Sequence, residues 1–228
     1  DTGLHGNRSE PAVRELITAY QILGNPRSRK EYDKSYVRQS EVKFNYRDFL
    51  LNRKDDMYSQ AKLIFFDLLH KNEESALNLY ECLRGNGMFS LEEQLGREDF
   101  MDCAFLLSEE FEKKRNFGET FHLLYRISEL EHVEHYFKHF MEDVQIKMKN
   151  VVCKKMNGKT PKNFQIDCIR KILSLPSYEK ERPVYLKKLA EVYSEMGKVE
   201  KARYYLKQCL DLKPGLSGIE NLRKKIAI

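Results

Sequence analysis

Residues 183–214 read PVYLKKLAEVYSEMGKVEKARYYLKQCLDLKP, and this run decides the architecture. Leu186, Leu189, Ala190 and Tyr193 recur with helical period before Gly197, and Val199, Ala202, Leu206 and Cys209 do so after it. Small Ala190 and Ala202 let two helices approach closely, and Gly197 supplies the tight turn. Leu186, Tyr193 and Leu206 fill the groove, and Pro214 ends the second helix. The spacing predicts a pair of helices that bury one shared face.

These positions resemble the tetratricopeptide repeat. A degenerate second copy runs from Asp99 to His132, with Leu107, Ser108, Phe111, Phe117, Thr120, Leu124 and Ile127 at matching places. A third, Tyr58 to Arg84, fits through Ala76, Tyr80 and Leu83, whereas Leu63, Phe66 and Leu69 of its first helix lie about one residue out of register. Glu131 to Met156 reads as one unusually long helix and Pro161 to Leu175 as its partner. Such units stack because each exposes an apolar face that only a neighbour covers. The expected fold for 46–228 is therefore an all-α, tetratricopeptide-like solenoid of antiparallel helices, with a generic helical bundle as the alternative. Either presents a groove for another polypeptide.

Alternating β-branched patterns are nowhere sustained, and breakers at Gly24-Asn25-Pro26, Gly85-Asn86-Gly87, Asn116-Phe117-Gly118, Asn157-Gly158, Pro176 and Pro183 cut the chain into helices of ordinary length. Residues 38–45 are polar and aperiodic and are expected to form a linker. The longest apolar stretch, around Leu63 to Leu69, falls far short of the roughly 20 residues that span a bilayer. Five dispersed cysteines without a C-x-x-C pair point to reduced thiols and a cytoplasmic setting. Asp1 in first place, rather than a methionine, reads as a segment of a longer protein.

Ahead of the linker, Val13, Leu16, Ile17, Tyr20 and Leu23 share one helical face. After Gly24-Asn25-Pro26 a short basic helix is expected from Arg27 to Tyr36. The run Ala19-Tyr20-Gln21-Ile22-Leu23-Gly24-Asn25-Pro26-Arg27-Ser28-Arg29-Lys30-Glu31-Tyr32-Asp33 resembles the second half of the J domain of DnaJ-type co-chaperones, with Ile22 and Asn25 as mild departures. The resemblance covers 1–37. It implies that Asp1 is the aspartate of the family's His-Pro-Asp loop, that Tyr20 and Leu23 build the domain core, and that Arg29 and Lys30 add to its positive surface. It also implies a DnaK-type ATPase as partner, stimulated by the intact protein and not by these residues alone. Because the antiparallel helix of the J fold is missing, either the first repeat helices or a flexible missing segment should cover Leu16, Ile17, Tyr20 and Leu23.

Charge is segregated. Asn72 to Glu112 holds eleven acidic residues against Arg84 and Arg97, whereas Val144 to Lys171 holds eight basic residues against Asp167. The basic stretch is expected to be a solvated face, with an acidic partner or pairing to the acidic region as alternatives. Sparse aromatic interleaving disfavours nucleic acid; binding there would need Lys147, Lys149, Lys154 and Lys155. His132, His135 and His139 share one stripe, but their spacing does not suit a single zinc ion and no metal is expected. Nucleophile elbow, phosphate loop and H-E-x-x-H are lacking, so neither catalysis nor a cofactor is expected. Lys187, Glu191 and Tyr193 are expected to line or flank the repeat groove. Some tetratricopeptide domains clamp a C-terminal carboxylate. Lys187 stands where one clamp lysine would, but Glu191 replaces the asparagine, and Phe105 and Glu109 replace both in the second copy. The function that follows is a co-chaperone adaptor holding a client or partner protein; the alternative is a structural scaffold for protein assembly.

Overall fold

The computed structural model describes residues 18–41, 45–85, 87, 89–136 and 140–226, and among them there is helix and no strand. The chain divides into two units, Asp1–Phe49 and Leu50–Ile228.

In the first unit, residues 18–24 (α1) and Pro26–Glu41 (α2) are helical on either side of Asn25. Asn25 starts α2. Its Oδ1 accepts the Arg27 N–H at 2.9 Å and its carbonyl accepts the Arg29 N–H at 2.8 Å, with Pro26 in the first turn where its missing N–H costs nothing. An asparagine thus performs the capping that an aspartate performs equally well. α2 runs five residues past the expected Tyr36, because residues 37–41 contain no glycine or proline to stop it. Tyr20 is 80% exposed and Leu23 47%, so neither sits in a core, contrary to the expectation that their face is covered. Among the described residues of this unit, α1 and α2 offer no third layer to bury such a stripe. Leu16 and Ile17 lie outside the described residues.

The second unit begins within α3 (Tyr46–Leu51) and continues as α4 (Met57–Leu69), α5 (Glu73–Gly85), α6 (Leu91–Leu95), α7 (Arg97–Lys113) and α8 (Phe117–Val133). α9 (Met141–Asn150) runs into a π-helical turn (Val151–Lys155), followed by α10 (Lys162–Leu173), a 3-10 turn (Pro176–Glu181), α11 (Arg182–Glu195), α12 (Val199–Leu212) and α13 (Ile219–Ile226). α4 packs most extensively on α5, α7 on α8 and α11 on α12. Each pair then lies against the next: α4 and α5 on α7, α8 on α9 and the π turn, α10 on α11, with α13 against α11 and α12. Three pairs of consecutive helices, α4–α5, α7–α8 and α11–α12, therefore nest, with α9, the π turn and α10 set between the last two.

The turns inside three pairs are built alike. Lys71, Arg115 and Gly197 hold φ of 61°, 60° and 73°. The following residue donates its N–H back to the last turn of the preceding helix: Asn72 to the Asp67 carbonyl at 2.8 Å, Asn116 to Phe111 at 2.9 Å, Lys198 to Tyr193 at 2.9 Å. This left-handed cap satisfies carbonyls that the helix end leaves open. Five residues beyond each positive-φ position stands a fully buried small side chain, Ala76, Thr120 or Ala202. Facing helices contribute buried Ile64, Ser108 and Ala190 at equivalent places. The turn and buried-residue offsets of 183–214 thus recur in three helix pairs, with lysine and arginine in the place of glycine at two of them.

In α4 the core side is Ala61, Leu63, Ile64 and Leu68, while Leu69 is 59% exposed. Glu131–Met156 is not one helix. α8 stops at Val133, where Glu134 turns extended (φ −150°), and helix resumes at Met141. Arg97, at the start of α7, donates to the carbonyls of Leu130 and Glu134, the former at 3.1 Å, and the nearly buried Glu131 carboxylate accepts the Tyr136 N–H at 2.9 Å. These bonds replace the intrahelical ones, so a tertiary contact ends the helix where periodicity alone would continue it. Further on, the π turn leaves the Val152 carbonyl to buried Gln165, whose Nε2 donates to it at 2.6 Å and to Asn157 Oδ1 at 3.0 Å.

Candidate polypeptide-binding groove

On α7, Asp102, Phe105, Glu109 and Glu112 recur at steps of three and four and so share one stripe. Phe140, Asp143, Lys147 and Asn150 repeat that spacing on α9 and its cap. Val144 and Met148 are fully buried, which fixes the rotation of α9 and turns its stripe toward α7. Between the stripes lies a pocket of about 420 Å³, with exposed Ile146 at its edge and Phe140 53% exposed.

The two ends differ in charge. At one end Lys147 Nζ lies 3.1 Å from Glu109 Oε1 and 3.0 Å from Glu112 Oε2, and 5.6 Å from the centre of the Phe105 ring. Lys155 also pairs with Glu112. Toward the other end, Asp102 accepts a hydrogen bond from the Tyr136 hydroxyl at 3.3 Å. Burial, reinforced by Asp99 and Glu98, holds the Asp102 carboxyl above the usual carboxylate range, although the Tyr136 bond works against this. Among the described residues no lysine, arginine or histidine forms an ion pair with Asp102 or Asp143. The groove thus combines exposed apolar surface with carboxylates that are in no ion pair among the described residues.

Of the residues expected to bind partners, Asp1 lies outside the described residues. Arg29 and Lys30 are exposed on α2, and Arg29 Nε is 3.9 Å from Asp33. Lys187 and Glu191 are brought together at 3.5 Å, but Lys187 also donates to the Ser217 carbonyl at 2.6 Å and Glu191 also takes buried Lys188 at 3.3 Å. Tyr193 is buried; its ring stacks on Tyr205 at 5.5 Å and its hydroxyl accepts from Arg170 at 2.8 Å. On α11 these groups are thus engaged within the fold, Lys187 and Glu191 partly by each other and Tyr193 by α10 and α12.

The stretch 144–171 is not a free solvated face. Lys147 and Lys155 bind the acidic region, Lys149 pairs with Glu181 at 2.8 Å and Lys162 with Glu195 at 3.3 Å. Lys159 and Lys171 lie over the rings of Phe117 and Tyr125. Among the described residues no cluster of histidine, cysteine and carboxylate side chains is arranged to hold a metal ion; His139 lies outside them. The α9 stripe escaped the sequence reading because a continuous helix over 131–156 rotates its residues differently. The matching steps 102/105/109/112 and 140/143/147/150 were the available signal.

No known family profile, curated protein or solved structure matches this chain, and among the described residues no helix is long and apolar enough to cross a membrane.

Proposed function

We propose that this chain is a co-chaperone adaptor: its helix pairs hold a client or partner polypeptide in the α7–α9 groove, and its N-terminal segment recruits a DnaK-type ATPase. The observation that carries the polypeptide-binding part is the facing pair of stripes, with accessible Phe140 and Ile146 and carboxylates open to a cation. A groove with apolar surface and a few placed charges suits an extended or helical peptide far better than a small substrate to be transformed. The recruiting part rests on the likeness of residues 19–33 to the J domain, supported by helices on both sides of an Asn25 cap. A reducing compartment, the cytoplasm, suits its free cysteines.

Two assays test this. Single-turnover ATP hydrolysis by a DnaK-type chaperone is measured with the natural gene product, and acceleration over the chaperone alone is expected. Separately, the 228-residue chain is titrated into a chemically unfolded model protein diluted into buffer. Slower light-scattering growth at equimolar ratio is expected. No effect in the second assay removes polypeptide holding; no effect in the first removes the chaperone partnership and leaves a scaffold.

A further inference from the structure

We infer that the occupant of the α7–α9 groove is a basic polypeptide segment, one that sets a lysine or arginine beside an aromatic or branched aliphatic residue. The cation is drawn to Asp102 and Asp143, and its apolar neighbour packs on Phe105, Phe140 and Ile146. This deepens the polypeptide-binding reading above and rests on it.

The groove already shows how it takes a cation. Lys147 satisfies Glu109 and Glu112 at 3.1 and 3.0 Å while lying over Phe105. One turn away along both stripes Asp143 lines the pocket close to Phe140 and Asp102 precedes Phe105 on α7, and among the described residues neither carboxylate is in an ion pair. Glu98 and Asp99 add negative potential on the same end of α7, and among the described residues Lys62 pairs with Asp99 while Glu98 is in no ion pair. An acidic peptide or a nucleic acid would meet these carboxylates with like charge, because Lys147 is already engaged by two glutamates. Burial, and after it the charges of Asp99 and Glu98, raise the Asp102 pKa, and a cation arriving beside it would offset the like-charge part of that cost.

The test uses fluorescence anisotropy on the 228-residue chain with three labelled twelve-residue peptides. One alternates lysine with phenylalanine and leucine, its twin carries glutamate for lysine, and a third carries serine for the apolar residues. The first should bind, more weakly as salt rises, and the other two should bind at least about tenfold more weakly. Asp143→Lys alters an exposed position and should lower affinity by about tenfold, since a weak surface attraction becomes a repulsion of similar size. Phe140→Ser should do likewise, with circular dichroism confirming that both variants keep their helix. Equal binding of the acidic twin, or affinity unmoved by Asp143→Lys and Phe140→Ser, overturns the inference. In that case a chain that still suppresses aggregation of the unfolded protein keeps the polypeptide-binding reading. A chain that binds no peptide and suppresses nothing loses both.

Discussion

Lys147 of α9 reaches Glu112 of α7 at 3.0 Å, joining the basic stretch of the sequence to the acidic one across the groove. Lys147 is only 18% exposed and Glu112 14%, so water screens this pair less than an ordinary surface bridge. Replacing Lys147 by methionine keeps the stem and removes the charge. It should lower stability by about 1–2 kcal/mol in urea unfolding, and the difference should shrink in 0.5 M salt.

Lys71 and Arg115 carry left-handed backbone that favours glycine. Lys71→Gly and Arg115→Gly should each leave stability unchanged or raise it by up to about 1 kcal/mol, while Gly197→Ala should lower it by about 1–2 kcal/mol. Urea midpoints at constant slope measure all three.

These turns show how far the sequence could be read. The 183–214 pair was legible because Gly197, Ala190 and Ala202 announce themselves by size. The pair at Lys71 was half legible, since neither lysine nor arginine signals positive φ. The true α4 face, Ala61, Leu63, Ile64 and Leu68, overlaps the expected Leu63-Phe66-Leu69 set, so apolar Phe66 and Leu69 pull the reading one step round the helix. The break after Val133 was not legible at all, because it depends on Arg97, distant in sequence, and on the buried Glu131 carboxylate. The groove inherited that error, as its α9 wall takes its rotation from the restart at Met141.

Arg97 therefore has a structural assignment. Arg97→Leu removes the donor to the Leu130 and Glu134 carbonyls and should cost about 1.5–3 kcal/mol. Amide exchange should speed up first at the end of α8, around residues 130–136, before the rest of the unit.

Two buried tyrosines should respond differently to loss of the hydroxyl. The Tyr178 hydroxyl lies 2.8 Å from Ser128 Oγ, and burial pushes it up to about 12; Tyr185 is equally buried but its hydroxyl has no hydrogen-bond partner among the described residues. Tyr178→Phe should cost about 1 kcal/mol, whereas Tyr185→Phe should be neutral or stabilising. Thermal unfolding of the two variants side by side measures the contrast.

His122 supplies the pH dependence. Desolvation, then the charges of Lys171 and Arg84, hold its imidazole below the ordinary value of 6.5. The unfolded chain thus binds the proton more readily than the folded one. The stability associated with neutral His122 is fully present above pH 6.5 and is lost as pH falls toward the lower folded value. His122→Gln should flatten the change in urea midpoint between pH 7.5 and 5.5.

Hydrogen exchange on the 228-residue chain with and without the lysine-phenylalanine-leucine peptide tests most directly whether a polypeptide is held across α7 and α9. Slowed exchange concentrated in residues 102–112 and 140–150, with α11 and α12 unchanged, is the predicted result; slowing confined to α11 and α12, or none under saturating peptide, would contradict it.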